Sequence, residues 1–305
     1  MSKFDDAIRG LYFRKSRREW LEQVVARIES AHQNSEQAIA RIESSQKDSR
    51  DAIARLSSEQ QKSGEAIEHL KPVTSKTVEE AIDTEISTRA PILTGHHENA
   101  EIYRRWYEGM EFSEDWTSDH FGIWAQVFDE HGKYFKEALE IGSFEGRSAI
   151  FFLEYLPQLH IICVDLFEYT SEYFARAKPW VKFDNNLSKY AGRYEKIASL
   201  SANALAEFAS KGRKFDFIYI DGSHTRDNVF IDALLSWKLL NVNGVLIFDD
   251  YFWGWHFKRS ERPKEAIEYF VYSHLDELKI LHKGAQFIIK KVTASKDQSM
   301  PPPSP

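Results

Sequence analysis

The chain has 305 residues, of which 42% are hydrophobic, 14% aromatic and 29% charged, with 40 Lys and Arg against 47 Asp and Glu. That supplies at least one well-cored domain, while a net charge of −7 argues against a general nucleic-acid binder, whose affinity rests on neutralising many phosphates. A single cysteine, Cys163, excludes an internal disulfide framework and a Cys-cluster zinc site, and no apolar run approaches the roughly 20 residues of a membrane span.

Residues 1–20 set Phe4, Ile8, Leu11, Tyr12, Phe13 and Trp20 among Arg9, Arg14, Lys15, Arg17 and Arg18. This basic amphipathic segment suits an anionic membrane surface or a partner protein; capping the helix that follows is the plainer alternative. The opening MSKFDDAIRG lacks the apolar core of a signal peptide. The expected address is cytoplasmic, with membrane association as its extension.

No Phe, Trp or Tyr occurs between Trp20 and Tyr103. Within that stretch, residues 21–72 repeat every fourteen residues: VVARIESAHQNSEQ, AIARIESSQKDSRD, AIARLSSEQQKSGE, then AIEHL. Position a holds Val25, His32, Ile39, Gln46, Ile53, Gln60 and Ile67, and position d holds Ile28, Ser35, Ile42, Ser49, Leu56, Ser63 and Leu70. So narrow an apolar stripe needs partner helices, and the pattern predicts a parallel coiled coil about 70 Å long. Polar layers such as His32/Ser35 fix register, and Ile at a with Ile or Leu at d leaves dimer and trimer both open. A single solvated helix is the alternative. Residues 73–100 read as a linker containing a short helix between Pro72 and Pro91, and residues 294–305 as a disordered tail.

From residue 101 to 293 strand and helix signals alternate. Lys136–Ile141, Ile161–Asp165, Tyr194–Ile197, Phe215–Asp221 and Gly244–Asp249 are short β-rich runs. Between them lie the amphipathic segments Arg147–Leu156, Ala202–Ala209 and Asp227–Leu240. This order predicts an α/β domain, a mostly parallel sheet with helices on both faces. Ligands of such sheets sit at the carboxyl ends of the strands, where the chemistry is to be sought.

The first strand ends in Glu140-Ile141-Gly142-Ser143-Phe144-Glu145-Gly146-Arg147-Ser148. Gly142 and Gly146 permit a tight turn and a close backbone approach to a ligand, ahead of a helix N-terminus with unpaired N–H groups. The spacing E-x-G-x-x-x-G is not the dinucleotide fingerprint. The second strand ends at Asp165, followed by Leu166, a carboxylate suited to two ribose hydroxyls or to capping the next helix. The fourth and fifth end in Ile220-Asp221-Gly222-Ser223-His224 and Phe248-Asp249-Asp250-Tyr251. Asp221, Asp249 and Asp250 gathered on one rim repel one another unless a cation compensates, and oxygen ligands suit Mg²⁺; capping roles are the alternative. His224 on the same rim is suited to taking a proton from a hydroxyl, with His256 the competing base.

Together these residues resemble the class I S-adenosylmethionine-dependent methyltransferases, and more narrowly the bacterial macrolide and aminocoumarin sugar O-methyltransferase group, through LEIGSFEGRSA, FDNN, DFIYIDGSH and FDDYFWGW. The resemblance spans roughly Asp115 to Val292. It implies a Rossmann-like sheet of seven strands whose last hairpin, around Glu277–Ile280 and Gln286–Lys290, includes an antiparallel strand. It implies that Glu140, Gly142, Ser143 and Gly146 hold the methionine side of S-adenosylmethionine, that Asp165 with Leu166 holds the ribose, and that Ser201 and Ala202 lie near the adenine. Leu200 stands where many relatives carry an acidic residue. It further implies a metal on Asp221, Asp249 and Asp250, Asp221 also lying beside the cofactor, with His224 as base.

The expected reaction is methyl transfer to a hydroxyl, with a sugar of a polysaccharide, glycoconjugate or natural product as acceptor. Trp106, Tyr107, Phe112, Trp116, Phe121 and Trp124 before the first strand, and Tyr251, Phe252, Trp253 and Trp255 after the fifth, could stack on sugar faces or fill the core. Phe183-Asp184-Asn185-Asn186 adds polar groups near that rim. The coiled coil makes a homo-oligomer, and its rod is suited to setting the distance between the active site and a membrane or partner. The competing reading is a coiled-coil scaffold whose domain binds S-adenosylmethionine without catalysis.

Overall fold

The computed structural model describes residues 74–88, 93, 100–167 and 176–293. The chain divides into two units, Met1–Lys71 and Pro72–Pro305. The basic segment, the fourteen-residue repeats with their coiled coil, and the C-terminal tail lie outside the described residues.

The second unit is built on seven strands: β1 (Glu137–Ile141), β2 (His160–Asp165), β3 (Tyr194–Ala198), β4 (Phe215–Ile220), β5 (Leu240–Phe248), β6 (Leu278–Lys283) and β7 (Phe287–Lys291). They form one mixed sheet in the order β3-β2-β1-β4-β5-β7-β6. β1 to β5 pair in parallel, and β7 runs antiparallel to both β5 and β6. Eight helices accompany the sheet among the described residues: α1 (Ser75–Thr88), α2 (Ala100–Arg105), α3 (Phe121–His131), α4 (Arg147–Tyr155), α5 (Pro179–Leu187), α6 (Ser201–Ser210), α7 (Arg226–Leu239) and α8 (Lys264–Ser273).

The strands are continuous apolar runs because both faces are covered. Alternate residues enter opposite cores. Ile161, Cys163, Phe217, Tyr219 and Ile247 pack with Trp124, Phe128, Phe151 and Phe152 of α3 and α4. Ile162, Val164, Ile218, Ile220 and Leu246 pack with Leu205, Phe208, Trp237 and Phe270 of α6, α7 and α8. Cys163 is a buried free thiol, and burial pushes its pKa well up, so it is a core filler.

Two elements depart from the sequence pattern. β5 starts at Leu240, where Leu240 pairs with Phe215, rather than at Gly244. Asn243 absorbs the turn-like Asn-Val-Asn-Gly stretch inside the strand at φ +69°, and Asn241 Nδ2 donates to Asp216 Oδ1 at 2.8 Å. Within residues 73–100, α1 buries Val78 and Ile82 in the second core. Its outer face is tied by Glu79 to Lys264 at 3.4 Å and by Asp83 to Lys283 at 2.7 Å. No helix among the described residues is long and apolar enough to cross a membrane.

Candidate active site

The carboxyl ends of β1, β2, β4 and β5 lie side by side, so the residues that follow them share one rim. After β1 the chain turns at Gly142 and Gly146, both at positive φ (+86° and +80°). A Cβ on Gly142 would stand 1.9 Å from the Asp221 carbonyl oxygen, and one on Gly146 would stand 2.2 Å from Leu187 Cδ1. The space the two glycines vacate is therefore filled by the chain's own atoms. Glycine is demanded here by the tight packing of the β1 turn against the β4 end and α5.

Beneath the turn, Glu140 is fully buried, and Ser148 Oγ donates to its Oε1 at 2.5 Å. Its Oε2 and the nearby Ser143 Oγ are buried without a well-aligned hydrogen bond, though Ser143 and Cys163 lie close enough to favour the carboxylate. Burial pushes the Glu140 carboxyl up to about 7. Unsatisfied buried oxygens cost stability unless a ligand completes them. At the end of β2 the Asp165 carboxylate accepts the Phe144 backbone N–H at Oδ2 and the Phe167 N–H at Oδ1, both at 2.9 Å. It thereby knits the β1 turn to its own. Leu166 beside it is exposed, Leu200 is the exposed residue preceding α6, and Ser201 and Ala202 form the half-buried first positions of that helix.

Asp250 adopts φ +57°, which sends the side chains of two consecutive aspartates to opposite sides. Asp250 Oδ2 lies 2.9 Å from His224 Nε2, and Asp221 Oδ1 lies 3.6 Å from the same nitrogen. Asp221, His224 and Asp250 bring one ligand atom each within 4.8 Å of one another. Burial opposes a charge on His224, yet its hydrogen bonds to Asp221 and Asp250 prevail and push its pKa up to about 10. These two contacts favour the protonated ring. Trp253 packs edge-on against it with centroids 4.7 Å apart. His256 is exposed and packs against Phe257, with centroids 4.3 Å apart.

Asp249 faces the other way. Its Oδ1 accepts the Asp250 N–H at 2.7 Å, its Oδ2 accepts a short hydrogen bond from the Tyr219 hydroxyl, and His120 Nε2 stands 3.8 Å from Oδ1. A buried relay supports this: Trp124 Nε1 donates to Gln286 Oε1 at 2.7 Å, and Gln286 Nε2 donates to the Tyr219 hydroxyl at 3.4 Å. Donors that point the same way along a relay polarise one another. Sequence reasoning missed His120, Tyr219 and Gln286. Only the alternation of β4, which turns Tyr219 away from Ile218 and Ile220, hinted at any of them.

Of the aromatics before β1, Tyr107, Phe121 and Trp124 are core residues, whereas Trp116 is 59% exposed. After β5, Tyr251 is buried and Phe252, Trp253 and Trp255 are exposed on the rim. Of the Phe183–Asn186 run, Asn186 alone is bonded to the β1 turn, and none of the run is shown beside the exposed rim aromatics. Phe183 is core, Asp184 pairs with Lys196 at 2.7 Å, and Asn186 Nδ2 donates to the carbonyls of Glu111 and Glu145 at 2.9 and 3.1 Å. The helix beginning at Pro179 thus sends Asn186 to the β1 turn and Asp184 to β3.

Residues 139–251 match the protein family described as a methyltransferase domain. No curated protein matches the sequence. Among solved structures the chain is similar to the O-methyltransferase TomG from Streptomyces achromogenes, bound to S-adenosylmethionine (15% identity over 70% of this chain and 96% of that one, TM-score 0.45). It is similar to an O-methyltransferase from Bacillus cereus bound to S-adenosylhomocysteine (17%, 75% and 96%, TM-score 0.43). It is also similar to MycE of the mycinamycin biosynthetic pathway with Mg and S-adenosylhomocysteine (16%, 77% and 70%, TM-score 0.45). Residues 139–251 are thus similar to a methyltransferase domain, whose methyl donor, S-adenosylmethionine, would have to be accommodated by the β1 turn. Glu140 Oε2 and Ser143 Oγ fit that demand, since an ammonium supplies the well-aligned donors both lack. The facing carboxylates of Asp221 and Asp250 likewise fit a hard divalent cation that keeps several of its waters.

Proposed function

We propose that this protein is an S-adenosylmethionine-dependent O-methyltransferase that modifies a hydroxyl of a saccharide acceptor. The observation that carries the reading is the Asp221–His224–Asp250 constellation on the rim beside the cofactor turn. When bound, S-adenosylmethionine supplies a methyl group already activated by its positive sulfur. Glu140 and Ser143 hold the methionyl ammonium, Asp165 with Leu166 takes the ribose edge, and Ser201 with Ala202 borders the adenine. What remains for the chain is to orient an acceptor oxygen in line and to manage its proton.

A divalent cation on Asp221 and Asp250, with Asp249 behind them, would supply the charge that lowers the pKa of an acceptor hydroxyl. His224 carries its proton because those two carboxylates surround it. With that proton given up to solvent, the ring can accept one from the acceptor hydroxyl, and a cation on the two carboxylates would favour the neutral ring. Tyr219 and His120 hold Asp249 on the far side, keeping the Asp249-Asp250 turn in one geometry. The exposed Trp253 and Trp255 offer apolar faces of the kind that sugar rings stack on. The repeats of residues 21–72 assemble the enzyme as a dimer or trimer, and residues 1–20 supply a contact with an anionic membrane or a partner protein.

The test is a labelled-methyl transfer screen across saccharides and small phenols, with and without Mg²⁺. Label in a saccharide hydroxyl, lost in His224→Ala, is the expected result. Label in phenols alone would overturn the acceptor class, and none in any acceptor would favour a scaffold that only binds the cofactor.

A further inference from the structure

Residues 111–118 form a strap tied to the β1 turn and the start of α4 through Ser113 and Asp115. Ser113 donates to Glu145 twice, from its backbone N at 2.5 Å and its Oγ at 2.7 Å, and Lys182 pairs with the same buried carboxylate at 3.2 Å. Two residues on, Asp115 takes a two-pronged bond from Arg147 at 2.9 and 2.7 Å. Asp115 also accepts the Ser118 N–H at 3.0 Å and the Ser118 Oγ–H at 2.7 Å. Between these anchors Trp116 lies over Phe144, with ring centroids 5.3 Å apart and planes tilted by 33°. The ring is 59% exposed with one face on Phe144, and the strap beside it is anchored, so little ordering is left for a ligand to impose.

The neighbouring aromatic faces are already occupied by the chain's own cations. Arg147 covers Tyr107 at 4.4 Å and Phe112 at 4.9 Å, and Lys196 covers Phe167 at 4.3 Å. Among the described residues no Lys or Arg lies over the Trp116 ring.

Phe144 follows Ser143 and donates its N–H to Asp165, so its backbone stands between the residues proposed above for the methionyl end and the ribose. In S-adenosylmethionine the atom that joins those two parts is the sulfonium. We propose that Trp116, outside the matched methyltransferase segment, is a cofactor-binding residue whose ring reads the positive charge of the sulfonium. The inference rests on the cofactor reading above. A cation held within about 6 Å of an indole face is attracted to it, most strongly where water is excluded. S-Adenosylhomocysteine lacks the methyl group and with it the charge but is otherwise the same molecule, so a ring that reads the charge separates substrate from product.

Calorimetric titration of the full chain with S-adenosylmethionine and with S-adenosylhomocysteine tests this in wild type, Trp116→Ala and Trp116→Phe. In Trp116→Ala the Kd for S-adenosylmethionine is expected to rise about tenfold and that for S-adenosylhomocysteine about twofold at most, while Trp116→Phe keeps most of the discrimination. Equal losses for both ligands would make Trp116 a mere wall, and no loss for either would remove it from the site; both results overturn the proposal. Failure of the wild type to bind either ligand would instead overturn the cofactor reading on which it stands.

Discussion

Replacing Glu140 with Gln probes the floor of the cofactor turn with a near-isosteric side chain. Glu140 is fully buried with one oxygen lacking a well-aligned hydrogen bond, and its carboxyl is pushed up to about 7. In the unfolded chain a glutamate titrates near 4.3. The folded state therefore holds a proton that the unfolded state has lost. This group's contribution to stability is complete below pH ~4, declines as pH rises toward 7, and is gone above it. Between pH 5.5 and 7 lie about 1.5 units at about 1.4 kcal/mol each, or about 2 kcal/mol. Gln has no proton to lose, so the stability of Glu140→Gln relative to wild type should rise by about 2 kcal/mol between pH 5.5 and pH 8. Urea unfolding at the two pH values, fitted with common m-values, measures the difference. A relative stability that is flat or falls with pH would refute the assignment of a buried, proton-holding carboxyl. At pH 8, where the Glu140 proton is released, the same variant should weaken S-adenosylmethionine about tenfold or more, the usual consequence of removing a charged partner from an ammonium.

Three further outcomes are expected. His224→Ala should abolish turnover while leaving the Kd for S-adenosylhomocysteine within about twofold; retained turnover would move the base to His256 or to His120. Without added cation the rate should rise with pH along a limb centred near the His224 value of about 10, and Mg²⁺ should shift that limb down while chelation shifts it back; a limb insensitive to both would defeat a cation on Asp221 and Asp250. Gly142→Ala should destabilise the domain by at least about 3 kcal/mol in urea unfolding, because its Cβ would overlap the Asp221 carbonyl at a positive φ. A loss below about 1 kcal/mol would mean that the β1 turn and the β4 end are packed less tightly than described.

The sheet was legible because strands buried on both faces are apolar runs that stop abruptly at Gly or Asp. Glu140–Ile141, Val164–Asp165, Ile220–Asp221 and Phe248–Asp249 are such stops, and the structure gathers all four on one rim. The division of labour between Asp249 and Asp250 was not legible. It turns on one residue's left-handed backbone, for which Asp carries no strong signal. His120 reaches Asp249 across more than a hundred residues with no periodicity linking them. The strap from Ser113 to Ser118 reads as an unremarkable polar turn until Glu145 and Arg147 are placed beside it.

Calorimetric titration of the wild type and of Asp165→Ala with S-adenosylhomocysteine tests the central claim most directly. Binding at one site per chain in the wild type, weakened at least about tenfold in Asp165→Ala, is the predicted result. No heat with the wild type, or equal affinity in the two proteins, would contradict it.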